Sequence, residues 1–329
     1  MNERLFGYRH AFDHEVTVWL TVFAAAVLVI APLGIAMAVR FGRIGEPQRT
    51  ELKKRYLSWL ILTPLLVVPI LLGAFWTMLG VMLLSILCYR EYARVTGCFR
   101  NRLISLVVVL GMLLVFFSVF DHWYGLFAAA APLTVGAIAV FALLADEPKG
   151  YVQRVALGVL GFMLFGVGLG HLAYFGNDAD YRPVLLMLIV GIQMNDIFAY
   201  IAGRLFGRRQ LMPQTSPNKT WGGSLGALVL TTSMVAAIAH YVFEGGPMDH
   251  PGYLIGLGLI VSVLGQLGDL MLSAIKRDIG IKDTGQLIPG HGGLLDRFDS
   301  TLLVAPAAFH FIGYLQGIGL DQTPRLMTG

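Results

Sequence analysis

The sequence predicts an all-α, polytopic integral membrane protein with about ten (nine to ten) transmembrane helices, and three observations carry that expectation. Of its 329 residues, 56% are apolar and only 13% charged, whereas an ordinary soluble domain has about 25% charged. Mean hydropathy is +0.70. Long apolar runs recur from Val18 to Ile318. A soluble globular enzyme is therefore excluded. So is a collagen-like or disordered chain, because the 39 Gly and 14 Pro follow no period and the apolar content is high.

A helix needs about 20 apolar residues to cross the hydrocarbon core. The runs place spans at roughly 17–39, 57–73, 74–90, 103–120, 123–145, 152–174, 183–203, 224–243, 252–275 and 300–318. The first reads as a retained anchor: its apolar stretch exceeds the roughly 7–15 residues of a signal core, and its lead-in carries Glu3, Asp13 and Glu15. The second and third come from one unbroken run, Leu57 to Cys88, which is too long for a single crossing and divides best near Gly73. The fourth to sixth are apolar, with Phe116, Phe117, Trp123 and Tyr124 as core and interface anchors. The seventh and ninth each contain an aspartate, and the tenth follows a glycine-rich loop. Three regions result: 1–56, with the first anchor and a basic loop; 57–182, a helical membrane region; and 183–320, a membrane region with long loops, which the residues taken up below make the expected catalytic region with its substrate loops.

Sidedness follows from the loops that the spans put together. One side holds 20 of the 24 Lys and Arg: six from Arg40 to Arg55, four from Arg90 to Arg102, then Lys149 and Arg154, then Arg204, Arg208, Arg209 and Lys219, then Lys276, Arg277, Lys282 and Arg297. The other keeps Arg4, Arg9, Arg182 and Arg325. The positive-inside rule makes the rich side cytoplasmic, with both termini outside. The net charge of +4 thus reads as membrane orientation and phosphate binding, and nucleic acid is not an expected partner. Cys88 and Cys98, the only cysteines, make neither a CxxC metal knuckle nor an expected disulfide.

Asp196 and Asp269 lie in otherwise apolar helices, where an unpaired charge is costly and marks function. Counting on from Asp269 gives Ser273 at i+4, Lys276 at i+7 and Arg277 at i+8, all on one helical face. Asp196 repeats the spacing with Tyr200 and Arg204. The bland reading of each stripe is an ion pair that pins two helices together. The loop that follows weighs against it: it holds Lys282, Asp283 and five glycines and ends in His291-Gly292-Gly293, just before the tenth helix, where free N–H groups can face an anion. Asp296 and Asp299 then share one face of that helix. With Asp269 they form an all-oxygen set suited to magnesium, with room for a second cation. A second loop offers the phosphate-binding types Ser216, Lys219 and Thr220, in a pattern that is not a Walker loop.

Taken together, these residues resemble the phosphatidate cytidylyltransferase family, the CDP-diglyceride synthases. The family signature runs Ser-x-x-Lys-Arg, Lys-Asp, Pro-Gly-His-Gly-Gly and Asp-Arg-x-Asp. It is matched by Ser273, Lys276, Arg277, Lys282, Asp283, Pro289 to Gly293, Asp296, Arg297 and Asp299. Asp196 to Tyr200, Gly203-Arg204, Phe206-Gly207 and Ser216 to Thr220 match upstream elements, and Glu91 to Gly97 a softer one. Gly222 departs from the pattern, since the family has Glu or Gln there. The resemblance implies cytidylyl transfer from CTP to phosphatidate, with a homodimer consistent with it. It implies catalytic roles for Asp269, Lys276, Arg277, Lys282, Asp283, His291, Asp296 and Asp299, substrate contacts from Asp196, Arg204, Ser216, Lys219, Thr220, Ser273, Gly292, Gly293 and Arg297, and magnesium on Asp269, Asp296 and Asp299. Two other readings are transfer to a different lipid phosphate and a secondary transporter. A transporter would thread polar residues through the midplane of several spans, whereas here they gather at one face.

Overall fold

The computed structural model describes residues 5–41, 45–178, 180–285, 292–317 and 325–328. Among the described residues ten helices are long and apolar enough to cross a membrane: α1 Glu15–Arg40, α2 Gln48–Leu72, α3 Ala74–Val95, α4 Arg102–Phe120, α5 Tyr124–Leu143, α6 Tyr151–Phe175, α7 Tyr181–Phe206, α8 Trp221–Val242, α9 Pro251–Asp278 and α10 Leu295–Gln316. The long run divides at Gly73, as expected. Its φ of +140° favours glycine, and a Cβ there would collide with the Leu5 carbonyl.

Two boundaries differ from the hydropathy expectation for the same reason. The polar stretch from Gln48 to Arg55 is helical and belongs to α2, and α10 starts at Leu295, ahead of the apolar run at 300–318, with Asp296 and Asp299 in its first turns as their shared face implies. Hydropathy detects only the lipid-facing length of a helix, so polar residues that remain helical are missed at the ends. The loop expected between α7 and α8 is a short hairpin, in which β1 (Gln210–Met212) pairs antiparallel with β2 (Ser216–Thr220).

Large side chains of α3, α4, α6 and α10 fill the core, including Tyr89, Tyr92, Met112, Phe165 and Phe309. The α6 backbone loosens to a π-helical turn at Phe162–Gly168. On the side toward the site, α7, α8 and α9 are joined by polar contacts. Asn195 Oδ1 accepts from Thr231 Oγ1 at 3.0 Å and Ser262 Oγ at 2.8 Å, while its Nδ2 donates to the Ser262 carbonyl at 3.3 Å. Gln266 continues the chain, bonding Ser262 Oγ at 3.3 Å and the Ser224 hydroxyl. On the opposite side, buried Asp121 accepts from Met327 N at 2.6 Å and from the Thr328 hydroxyl, and Arg325 lies 4.2 Å from the Trp123 ring centroid.

Candidate active site

The site forms where α7, α9 and α10 meet the two loops on the basic side. Lys219, at the end of the hairpin, reaches Asp269 on α9, with Nζ 2.5 Å from Oδ2, and lies 3.5 Å from the Gln266 carbonyl. One turn further along α9, Ser273 Oγ donates to Asp269 Oδ1 at 3.4 Å, so the expected i+4 stripe holds. The next stripe member, Lys276, is buried and bonds Asp296 Oδ1 at 2.8 Å. The same ammonium also offsets the charge of Asp299.

Asp296 has a different partner set from the one expected of a metal ligand. Its Oδ2 accepts from Thr284 N, Gly293 N and the Thr284 hydroxyl at 2.9, 2.9 and 3.0 Å. With Lys276 on Oδ1, the carboxylate is committed to holding the loop against α10. The acids that feel one another are Asp196, Asp269 and Asp299: Asp299 is buried within the field of both others, and Asp196 is opposed by Asp269 and offset by Lys219 and Arg297. No three acidic, imidazole or thiol groups among the described residues converge at coordinating distance. Lys219, Arg297 and Lys276 now offset these three carboxylates; with Lys219 turned to another anion, Asp269 and Asp299 would be oxygen donors of the kind a hard cation takes.

The other expected residues divide. Lys282, Asp283, Gly292, Arg297 and Asp196 all line one large cavity, described below. The Arg297 Nε is buried with no hydrogen-bond partner among the described residues, a donor suited to an anion that enters from the cavity. Gly293 is packed so tightly against Thr284 and Glu91 that a Cβ would collide with both. Arg277 instead turns to the Ile281 carbonyl at 2.8 Å, and exposed Arg204 bonds the Tyr200 hydroxyl at 3.3 Å. Thr220 caps α8 by accepting from Gly223 N at 3.1 Å. Ser216 sits in β2 opposite Met212. His291 lies outside the described residues. The departure at Gly222 has a packing reason: a Cβ there would stand 2.5 Å from the Phe206 carbonyl, where α8 starts against the end of α7.

Glu91 was missed as a site residue by sequence reasoning. It lies near the end of α3, is buried, and accepts from Leu294 N at 3.1 Å through Oε1 and from Leu295 N at 2.9 Å through Oε2. The Thr284 hydroxyl stands 3.3 Å from Oε2, and Arg94 holds the Thr284 carbonyl at 3.1 Å. A carboxylate on the free N–H groups of α10 meets the positive end of that helix. The available signal was an acid in an otherwise apolar span, but its basic neighbours Arg90 and Arg94 made it look like part of a solvated end.

A family model described as "Cytidylyltransferase family" matches residues 53–315. Among curated proteins, the chain is 35% identical over 240 residues to the uncharacterized protein YnbB of Escherichia coli (strain K12), covering 70% of this chain and 77% of that protein. It is 39% identical over 140 residues to the phosphatidate cytidylyltransferase of Staphylococcus haemolyticus (strain JCSC1435), covering 43% of this chain and 53% of that one. It is 35% identical over 160 residues to the phosphatidate cytidylyltransferase of Rickettsia typhi (strain ATCC VR-144 / Wilmington), covering 48% and 70%. The chain thus aligns with about half the length of the staphylococcal relative, whereas the family model spans α3 to α10 and both site loops, and the chain belongs to the cytidylyltransferase family.

Proposed function

We propose that this protein transfers the cytidylyl group of CTP to phosphatidate, giving CDP-diacylglycerol and pyrophosphate. The observation that carries this reading is the placing of Lys282, Arg297 and Asp196 at one end of a cavity, with the Lys219–Asp269 pair, Lys276 and Asp299 in the same cluster of charges. It is supported by family membership and by relatives named phosphatidate cytidylyltransferase. In this reaction a phosphate oxygen of phosphatidate attacks the α-phosphorus of CTP. A new P–O bond forms, the bond from the α-phosphorus to the bridging oxygen breaks, and pyrophosphate leaves with that oxygen. The attacking phosphate monoester has a second pKa of about 6 and is largely ionised at neutral pH, so positioning and charge neutralisation do most of the work.

The side chains divide between these tasks. Lys282 and Arg297, on the cavity, take the lipid phosphate. Lys219, released from Asp269, takes the triphosphate. Lys276 and Asp296 hold the loop that carries Lys282 against the helix that carries Arg297. Magnesium would be held by Asp269 and Asp299 with Asp196 beside them, with room for a second cation, and when bound it would neutralise charge on the triphosphate and the leaving pyrophosphate. The 20-to-4 partition of basic residues supports a site facing the cytoplasm, where CTP is available, and the bacterial relatives support a bacterial inner (plasma) membrane setting. A homodimer is part of the same proposal.

The test uses purified full-length protein with labelled CTP, phosphatidate and magnesium. Formation of a CDP-lipid together with stoichiometric pyrophosphate is expected. Absence of both would refute the reading. A CDP-lipid formed only from another lipid phosphate would move the acceptor while leaving the chemistry in place.

A further inference from the structure

The cavity at the site has a volume of about 1250 Å³, larger than the roughly 300–1,000 Å³ of most small-ligand clefts. It lies between α1, α2 and α7 and has two zones. Glu51, Arg55, Asp196, Lys282, Asp283 and Arg297 line one end, while Phe23, Ala24, Val27, Val67, Leu186 and Ile189 line the other. The polarity runs the same way on two independent walls. Along α2 it passes from Arg55 to Val67, and along α7 from Asp196 to Leu186. At 1.5 Å per helical residue these are about 18 and 15 Å. A ligand that matches both walls has an anionic head and an apolar tail of about that length, as in an acyl chain of a lipid phosphate.

The third wall is α1. It lies outside the stretch matched by the family model, which starts at residue 53. It is held at its start, where Val16 and Leu20 are buried and Trp19 meets Tyr241 edge-on at 5.5 Å between centroids. Beyond the cavity-lining turns, Val29, Ile30, Leu33 and Met37 face away from the protein. Seating α1 along only part of its length leaves its inner turns to close the cavity.

We infer that α1 is the wall of an acyl-chain chamber, and that Phe23 and Ala24 set the chain length of the lipid phosphate this protein accepts. The inference rests on the proposed function for its turnover assay, but chamber occupancy can be read without turnover. Excluding even one methylene from an apolar pocket is worth about 10–200-fold in kcat/KM.

In full-length protein, Ala24→Phe is therefore expected to lower the ratio of kcat/KM for long-chain over dioctanoyl phosphatidate at least about tenfold, with the KM for CTP unchanged. Phe23→Ala is expected to shift the ratio toward longer chains, and it decides the matter if Ala24→Phe does not fold. Ala25→Phe, outside the cavity lining, should leave the ratio alone. The second readout is the thermal stabilisation that long-chain and dioctanoyl phosphatidate give to the wild type and to each variant. An active wild type whose ratio moves in neither variant would overturn the chamber and leave the proposed function standing. An inactive wild type whose chain-length-dependent stabilisation is lost in Ala24→Phe would overturn the proposed function and uphold the chamber. If neither readout depends on chain length, the chamber is refuted.

Discussion

Glu91→Gln is the substitution that most directly tests whether a carboxylate on α3 holds the site loop in place. The change keeps shape and volume but removes the charge and one acceptor. Leu294 N and Leu295 N donate to the two oxygens from 3.1 and 2.9 Å, and the Thr284 hydroxyl, whose proton goes to Asp296 at 3.0 Å, stands 3.3 Å from Oε2. A glutamine can still accept from one side, while its NH₂ faces a donor on the other. A buried donor left unpaired costs about 1–3 kcal/mol, and the bond that survives falls from the roughly 1.5–3 kcal/mol of a charged acceptor toward about 1. The docked loop should lose about 2–4 kcal/mol. At 1.4 kcal/mol per decade this is up to two or three orders of magnitude in the docked population. The expected result is at least about a tenfold fall in CDP-lipid turnover together with a lower thermal midpoint in detergent micelles, by about 5 °C. Turnover within twofold of wild type with an unmoved midpoint would refute the reasoning, because the same contacts would then be shown to do nothing.

Lys276→Met removes the partner of buried Asp296 and should destabilise by about 3–5 kcal/mol; Lys276→Met with Asp296→Asn should regain much of the thermal midpoint but no turnover, and equal midpoints in the single and double variants would count against a buried pair. Lys219→Ala removes an ion pair whose side chains are 21% and 26% exposed, so its stability cost should stay near 1 kcal/mol while turnover falls about a hundredfold or more, read by steady-state kinetics at saturating phosphatidate. Burial alone would raise the Asp121 carboxyl, but hydrogen bonds from Thr328 and the Met327 and Thr328 amides, with the Arg325 charge, outweigh it and hold the group below the usual carboxylate range. Its contribution is therefore full above about pH 4 and lost as pH falls through the lowered value. Fluorescence of Trp123, taken as a difference against Trp123→Phe, should change only below about pH 4 in wild type and already at neutral pH in Asp121→Asn.

Much of the fold was legible because a bilayer imposes one length on every crossing. The ten runs sufficed to count helices, and Gly73 marked the one hidden turn through a backbone conformation that a side chain resists. The Asp269 to Ser273 contact was readable from helical period alone. Other parts needed the third dimension. Spacing put Asp296 and Asp299 on one face, yet a loop amide and Lys276 claim the first while Asp196, remote in sequence, lies in the field of the second. Arg277 and Arg204 had the right charge at the right interval, but each turns to a partner on or just beyond its own helix. The lining by α1 was invisible because its residues there are only apolar, and apolar residues in a membrane chain carry no address.

Asn195 and Asp196 are neighbours in sequence with different duties. The amide is fastened to α8 and α9 inside the bundle, and the carboxylate faces the cavity about 100° around the same helix. The pair therefore acts as an index mark on α7. A rotation by a single residue would bring the carboxylate into the Ser262 and Thr231 hydroxyls and carry the amide to where Met194 now stands. The azimuth of the Asp196 carboxylate is thus fixed by a neutral residue turned into the bundle, and α7 cannot swivel without first breaking that catch.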